Sequence, residues 1–127
     1  MPKRYVSSFT KDSSRPDISV IVCHHFGSFI YKFVDSVKKS IGVTYEIIVI
    51  TSDDHLAVTG IPGCMVHSGE QYPAAKRNSG ARVSSGKYLA FFDDDVEIEP
   101  DCLQNLLFQL DTENVGMVYG KLHKADE

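Results

Sequence analysis

Asp93, Asp94 and Asp95 stand in a row directly behind the apolar run Tyr88 to Phe92. Three adjacent carboxylates repel one another, so such an array needs open solvent or a cation. Carboxylate oxygens are the hard donors that Mg²⁺ and Mn²⁺ prefer. In an extended segment Asp93 and Asp95 point to one side and Asp94 to the other. The run before them is too short for an ordinary helix and rich in aromatics, which predicts a buried strand. The triplet is then the point where a strand leaves its sheet. Open parallel sheets collect their ligands at the carboxyl ends of the strands. By residue type alone a solvated turn accounts for the triplet as well as a metal site does; its position favours the site.

The elements that must hold this triplet follow from hydrophobic pattern. Ile18-Ser-Val-Ile-Val-Cys23 is nearly continuously apolar, as in a parallel strand covered on both faces. Ser28 caps a predicted helix to about Ser40, with Ile30, Phe33, Val34, Val37 and Ile41 at helical spacing and Gly42 as its stop. Glu46 to Thr51 is a second β-branched strand, running into Ser52-Asp53-Asp54. A weaker strand, Cys64 to His67, follows the turn Gly60-Ile-Pro-Gly63. Pro73 suits the first turn of a helix from Ala74 to about Ser84. Its small residues Ala74, Ala75, Asn78 and Ala81 are the side expected against the sheet. Pro100 opens a further helix whose Leu103, Leu106, Leu107 and Leu110 form a core stripe, and Val115 to Tyr119 is a last predicted strand. The polar residues 1–16 read as a flexible N-terminal arm or edge extension. The order β-α-β-β-α-β-α-β over residues 17–127 predicts a Rossmann-like three-layer α/β/α sandwich with a mostly parallel sheet.

Composition narrows the partners. At 127 residues, 43% hydrophobic and 10% aromatic, the chain suits one domain with a real core. With 17 acidic against 13 basic residues and a formal charge of -4, no basic patch is available for nucleic acid. Cys23, Cys64 and Cys102 are odd in number and form no Cys-x-x-Cys pair. They predict reduced thiols and a cytoplasmic setting. Neither a membrane-length apolar segment nor a signal-peptide core is present, which leaves peripheral membrane association open.

The polar residues after the first two strands and the triplet would share one rim: His24, His25, Thr51, Ser52, Asp53, Asp54 and Asp93 to Asp95. No phosphate-binding loop, dinucleotide fingerprint or nucleophile elbow occurs. His24 and His25 are adjacent at a strand end and point apart, so His25 is expected to pack and His24 to contact a ligand. An acidic rim accepts a diphosphate when a divalent cation bridges the two. Arg77 can add positive charge, whereas Lys76 is expected on a solvated helix face.

Four blocks carry a family resemblance. Ile18-Ser-Val-Ile-Val, Glu46-Ile-Ile-Val-Ile, Ala75-Lys-Arg-Asn-Ser-Gly80 and Gly86-Lys-Tyr-Leu-Ala-Phe-Phe-Asp-Asp-Asp with Glu99-Pro-Asp-Cys-Leu resemble, in order, the motifs of family-2 glycosyltransferases of the GT-A fold. The likeness covers about Asp17 to Lys121. It implies binding of a nucleotide-diphosphate sugar with Mn²⁺ or Mg²⁺, and transfer of the sugar to an acceptor whose identity the motifs leave open. By the same resemblance Asp95, with Asp93, holds the metal. Asp93 and Asp94 lie near the ribose, His24 and Asp53 contact the base, and Arg77 approaches base or diphosphate.

Two departures stand out. Thr51-Ser-Asp-Asp replaces the family's Asp-Asp-Gly-Ser turn, shifting the carboxylates by two positions. The family's acceptor site and catalytic base follow the fifth strand, so the expectation is a truncated donor-binding domain lacking the acceptor half, weakly active or inactive. The alternative is a non-catalytic binding or assembly module that self-associates through the surface left by the missing half. A receiver-like phospho-acceptor would need an acidic pair where Cys23-His24-His25 stands.

Overall fold

The two most apolar runs of the chain lie side by side at the centre of a five-stranded sheet. The computed structural model describes residues 4–6, 15–24, 27–51, 64–68, 72–112 and 115–120. Its strands are β1 (Arg4–Val6), β2 (Ile18–Cys23), β3 (Tyr45–Thr51), β4 (Cys64–Ser68) and β5 (Tyr88–Asp93), in the order β1-β4-β3-β2-β5. Neighbours among β2 to β5 are parallel, and β1 runs antiparallel along β4. The helices are α1 (Phe29–Lys38), α2 (Pro73–Val83) and α3 (Cys102–Leu110).

Strand alternation divides the core in two. Ile18, Val20 and Val22 of β2 and Ile47 and Val49 of β3 pack on Ile30, Phe33, Val34 and Val37 of α1 and Leu103 of α3. On the opposite face Ile21, Ile48 and Ile50 meet Val83 of α2. Helices therefore cover both faces of the sheet, which is the three-layer sandwich expected. Along α3, Leu103 is buried, and Leu106, Leu107 and Leu110 are half-buried. Ser28 sits at the N-cap of α1 without a side-chain hydrogen bond. No helix of the described residues is long and apolar enough to cross a membrane.

A buried polar staple joins the start of β5 to the sheet. Glu46, 4% exposed, accepts hydrogen bonds from the Ser19 hydroxyl, the Ser85 amide (2.6 Å) and the Ser85 hydroxyl (3.0 Å). The Gly86 amide donates in turn to Ser19 Oγ at 2.7 Å. Both carboxylate oxygens are thus satisfied by donors, the condition under which a buried carboxylate is tolerated. A second staple, Ser36 Oγ, donates to the Phe33 carbonyl and accepts from the Ile98 amide, tying the segment after β5 to α1.

Two expectations are corrected. Val115 to Tyr119 forms no strand. Met117 and Tyr119 are exposed, and no strand flanks the outer edge of β5 among the described residues, so nothing holds the segment extended. Helix α2 presents Lys76, Ser79 and Gly80 to the sheet, with Ala75 and Val83 half-buried, while Ala74 and Asn78 face solvent. The sheet-facing side is set by Gly80, where a β-carbon would stand 2.5 Å from Ile21 Cγ2.

Candidate nucleotide site

The sheet order fixes where a ligand can sit. From β2 the chain crosses to β3 and β4 on one side and only later reaches β5 on the other. Strand order reverses between β2 and β5, and open α/β sheets bind ligands in the crevice outside the carboxyl ends of their strands at such a point. Register makes those ends flush: Cys23 pairs with Ile50 on one side and with Asp93 on the other.

The acidic triplet stands at this crevice. Phe92 is anchored against Phe33, with ring centroids 5.4 Å apart, so the exit of β5 is fixed from the core side. Asp93 closes the strand with its side chain 73% exposed, and Asp95 is exposed in the turn that follows. Asp94 turns inward, where it accepts a 2.8 Å hydrogen bond from His24 Nδ1–H. His24 itself is 1% exposed, and its amide is tied to the Ile50 carbonyl at 2.8 Å. It therefore meets the triplet from inside and positions Asp94.

Two cations of α2 approach from the other side. Arg77 is half-exposed and lies 3.9 Å from Asp93, a loose surface pair of the kind worth about 0–1 kcal/mol. It can turn to an anionic ligand at little cost. Lys76 is not on a solvated face: it is 3% exposed, and its Nζ donates to the His24 carbonyl at 3.0 Å. The sign of this was present in the sequence, because Lys76, Ser79, Gly80 and Val83 share one helical face by their spacing. Around Cys23 these groups converge. Burial pushes its thiol pKa up, Arg77 and Lys76 pull it down, and Asp93 and Asp94 raise it again. Asp53, with Ser52, Asp54 and His25, lies outside the described residues.

Among the described residues no three His, Cys, Asp or Glu side chains are grouped to hold a metal by themselves. Mg²⁺ is ordinarily held by one or two carboxylates with phosphate oxygens and water completing its shell. The outward pair Asp93 and Asp95 fits that arrangement, with Asp94 held back by His24.

A parallel sheet with its strand order reversing between β2 and β5, and with carboxylates and an arginine gathered at the strand ends there, is an α/β domain of the GT-A type. The sequence model described as glycosyl transferase family 2 matches residues 19–127, and the chain belongs to that family. No curated protein matches the sequence. Among solved structures, the fold is similar to S. aureus TarS 1-349, with a TM-score of 0.64 at 19% identity over 75% of this chain and 32% of that one. The complex of TarS 1-349 with UDP-GlcNAc has a TM-score of 0.61 at 16% identity, covering 81% of this chain and 37% of that one. Its complex with UDP gives 0.61 at 18% identity, over 81% and 38%. The chain thus spans about a third of TarS 1-349.

Proposed function

We propose that the chain binds the nucleoside diphosphate of a nucleotide sugar in the crevice between β2 and β5, and serves metal-dependent transfer of the sugar to an acceptor hydroxyl. The observation that carries this reading is the flush ending of β2, β3 and β5 at the switch point, with Asp93, Asp94 and Asp95 on the last of them. Membership of the family supports it, as do the UDP-GlcNAc and UDP complexes of TarS, a structure of the same fold.

In this reading Asp95 and Asp93 would hold Mn²⁺ or Mg²⁺ against the diphosphate. The cation would stabilise charge developing on the leaving group. Arg77 leaves its loose contact with Asp93 to meet the diphosphate or base. Asp94, fixed by His24, lies near the ribose, so His24 acts through Asp94. Asp53 is the carboxylate for the base. None of these residues serves as the base that activates an acceptor, and little or no sugar transfer is the outcome expected of this chain by itself.

Calorimetric titration of UDP with and without Mn²⁺, on wild type and Asp95→Ala, tests the site. Binding that requires metal and weakens at least about tenfold in Asp95→Ala is expected. Nucleotide binding indifferent to both metal and Asp95 would move the site elsewhere.

A second reading, a non-catalytic module for binding or assembly, draws on a separate observation. Leu89, Phe91, Phe108, Met117 and Tyr119 are all exposed large apolar side chains. Absence of any nucleotide binding would favour it.

A further inference from the structure

Lys76 carries a positive charge into the interior and meets no carboxylate among the described residues. Its one hydrogen bond there is to the His24 carbonyl, 3.0 Å away. A buried ammonium whose one side-chain hydrogen bond among the described residues is to a carbonyl is a costly group to hold there, and a well-packed apolar side chain of the same volume would ordinarily be the more stable choice. Costs of this kind are concentrated where a charge serves a site.

The contacts on either side of Lys76 say what it serves. His24, almost fully enclosed, has its amide, its carbonyl and its Nδ1 each committed to a different element. Its amide donates to Ile50 of β3, its carbonyl accepts from Lys76 of α2, and its Nδ1–H donates to Asp94 after β5. One unbroken line of hydrogen bonds therefore runs from α2 through the end of β2 to the acidic turn. Lys76 supplies the donor for a carbonyl standing where the strand has ended, and brings positive charge up behind the carboxylates from below.

We infer that Lys76 is a positioning residue for the donor site: it holds the His24 carbonyl, the His24 ring holds Asp94, and the acidic turn is thereby presented to a diphosphate in one orientation. This rests on the donor-site reading above. It differs from that reading in assigning a role to a side chain that a ligand in the crevice need not touch.

The test uses Lys76→Met, which keeps the stem and removes both donor and charge. UDP is titrated by calorimetry with Mn²⁺ present, thermal melting is recorded, and the His24 ring is followed by ¹⁵N-detected NMR, assigned through His24→Gln. The expected result is UDP affinity lowered about tenfold or more, a melting temperature equal to or above wild type, and a displaced or doubled His24 ring signal. Unchanged affinity and an unchanged His24 signal, with wild type binding UDP normally, would overturn the inference and leave the donor site standing. A melting temperature that drops together with affinity would make Lys76 a structural residue only. If wild type binds no UDP, the donor reading fails, and the ring signal alone decides whether Lys76 positions Asp94: unchanged, it does not; displaced, it does. Should Lys76→Met not fold, Lys76→Gln, which loses the charge and carries a neutral amide donor on a shorter stem, carries the same three measurements.

Discussion

Three side chains make the folded state sensitive to alkali. Cys23 and Cys102 are half-buried thiols, and burial is the leading cause that raises each above its ordinary 9.0. For Cys102 the neighbouring Asp101 and Glu99 push in the same direction. Burial likewise lifts Tyr45 above 10.0. A group whose pKa is raised by folding keeps its proton in the folded chain after the unfolded chain has released it. Its contribution to stability is complete below the unfolded value and is lost as pH rises through the folded one. The urea midpoint should therefore hold steady toward the unfolded thiol value of 9.0 and fall above it. Cys102→Ser should make that fall shallower without touching the rim. A midpoint in Cys102→Ser that tracks wild type across the alkaline range would remove Cys102 from the account. The same burial predicts slow alkylation of both thiols in the folded chain at neutral pH, since the thiolate is the reactive form.

The elements are held to one another at two glycines, and the two differ in how much room for adjustment surrounds them. At Gly86 a β-carbon would stand 2.6 Å from the Ser19 amide nitrogen and 2.8 Å from the Ile18 carbonyl carbon, both backbone of the central strand. At Gly80 the close neighbour is the Ile21 side chain, at 2.5 Å. Alanine in a helix interior also gains about 1 kcal/mol over glycine, against about 1–3 kcal/mol for overpacking. Gly80→Ala should accordingly lie near neutral or mildly destabilising. Gly86→Ala, with no helical gain and the Gly86–Ser19 hydrogen bond at risk, should be clearly the worse of the two. Chemical denaturation of both variants checks the order; a Gly80→Ala less stable than Gly86→Ala would contradict it. These contacts also mark what sequence could convey. The strands were legible because β2 and β3 are apolar on both faces, and the acidic turn because it breaks an apolar run. The face of α2 was missed because small residues recur around the helix, at Ala74, Ala75, Ser79, Gly80 and Ala81, and smallness could not choose between Ala74 and Gly80. The Glu46 staple joins Ser19 and Ser85, 27 and 39 residues away in the chain, so no local pattern announces it. Val118 and its neighbours carry strand-like composition, but a strand exists only with a partner beside it.

At the scale of the molecule, the sheet of the described residues ends in β1 on one side and in β5 on the other. β5 is the longer of these two edge strands, and Leu89 and Phe91 lie level with Ser19 and Ile21, on the face where α2 packs mainly over β2 and β3. They remain 42% and 46% exposed. An open parallel edge bearing apolar side chains is a template for pairing with another chain. How strong that pairing can be follows from size. A stable interface buries about 1,200–2,000 Å², and a strand of β5's length extends only about 17–20 Å. Two side chains on such an edge supply part of an interface and not the whole, so association through β5 alone should be weak and reversible. Sedimentation velocity should then give a coefficient that rises with concentration for wild type and stays flat for Leu89→Lys with Phe91→Lys. Because both side chains are already half in water, the double variant should melt close to wild type, which separates a lost contact from a lost fold. A wild-type coefficient constant up to high concentration would mean that charge repulsion or the twist of the edge keeps β5 unpaired. The exposed apolar strip would then give no support to an assembly role, and the proposed donor site at the ends of β2 and β5 would stand as the stronger candidate among the described residues to carry function.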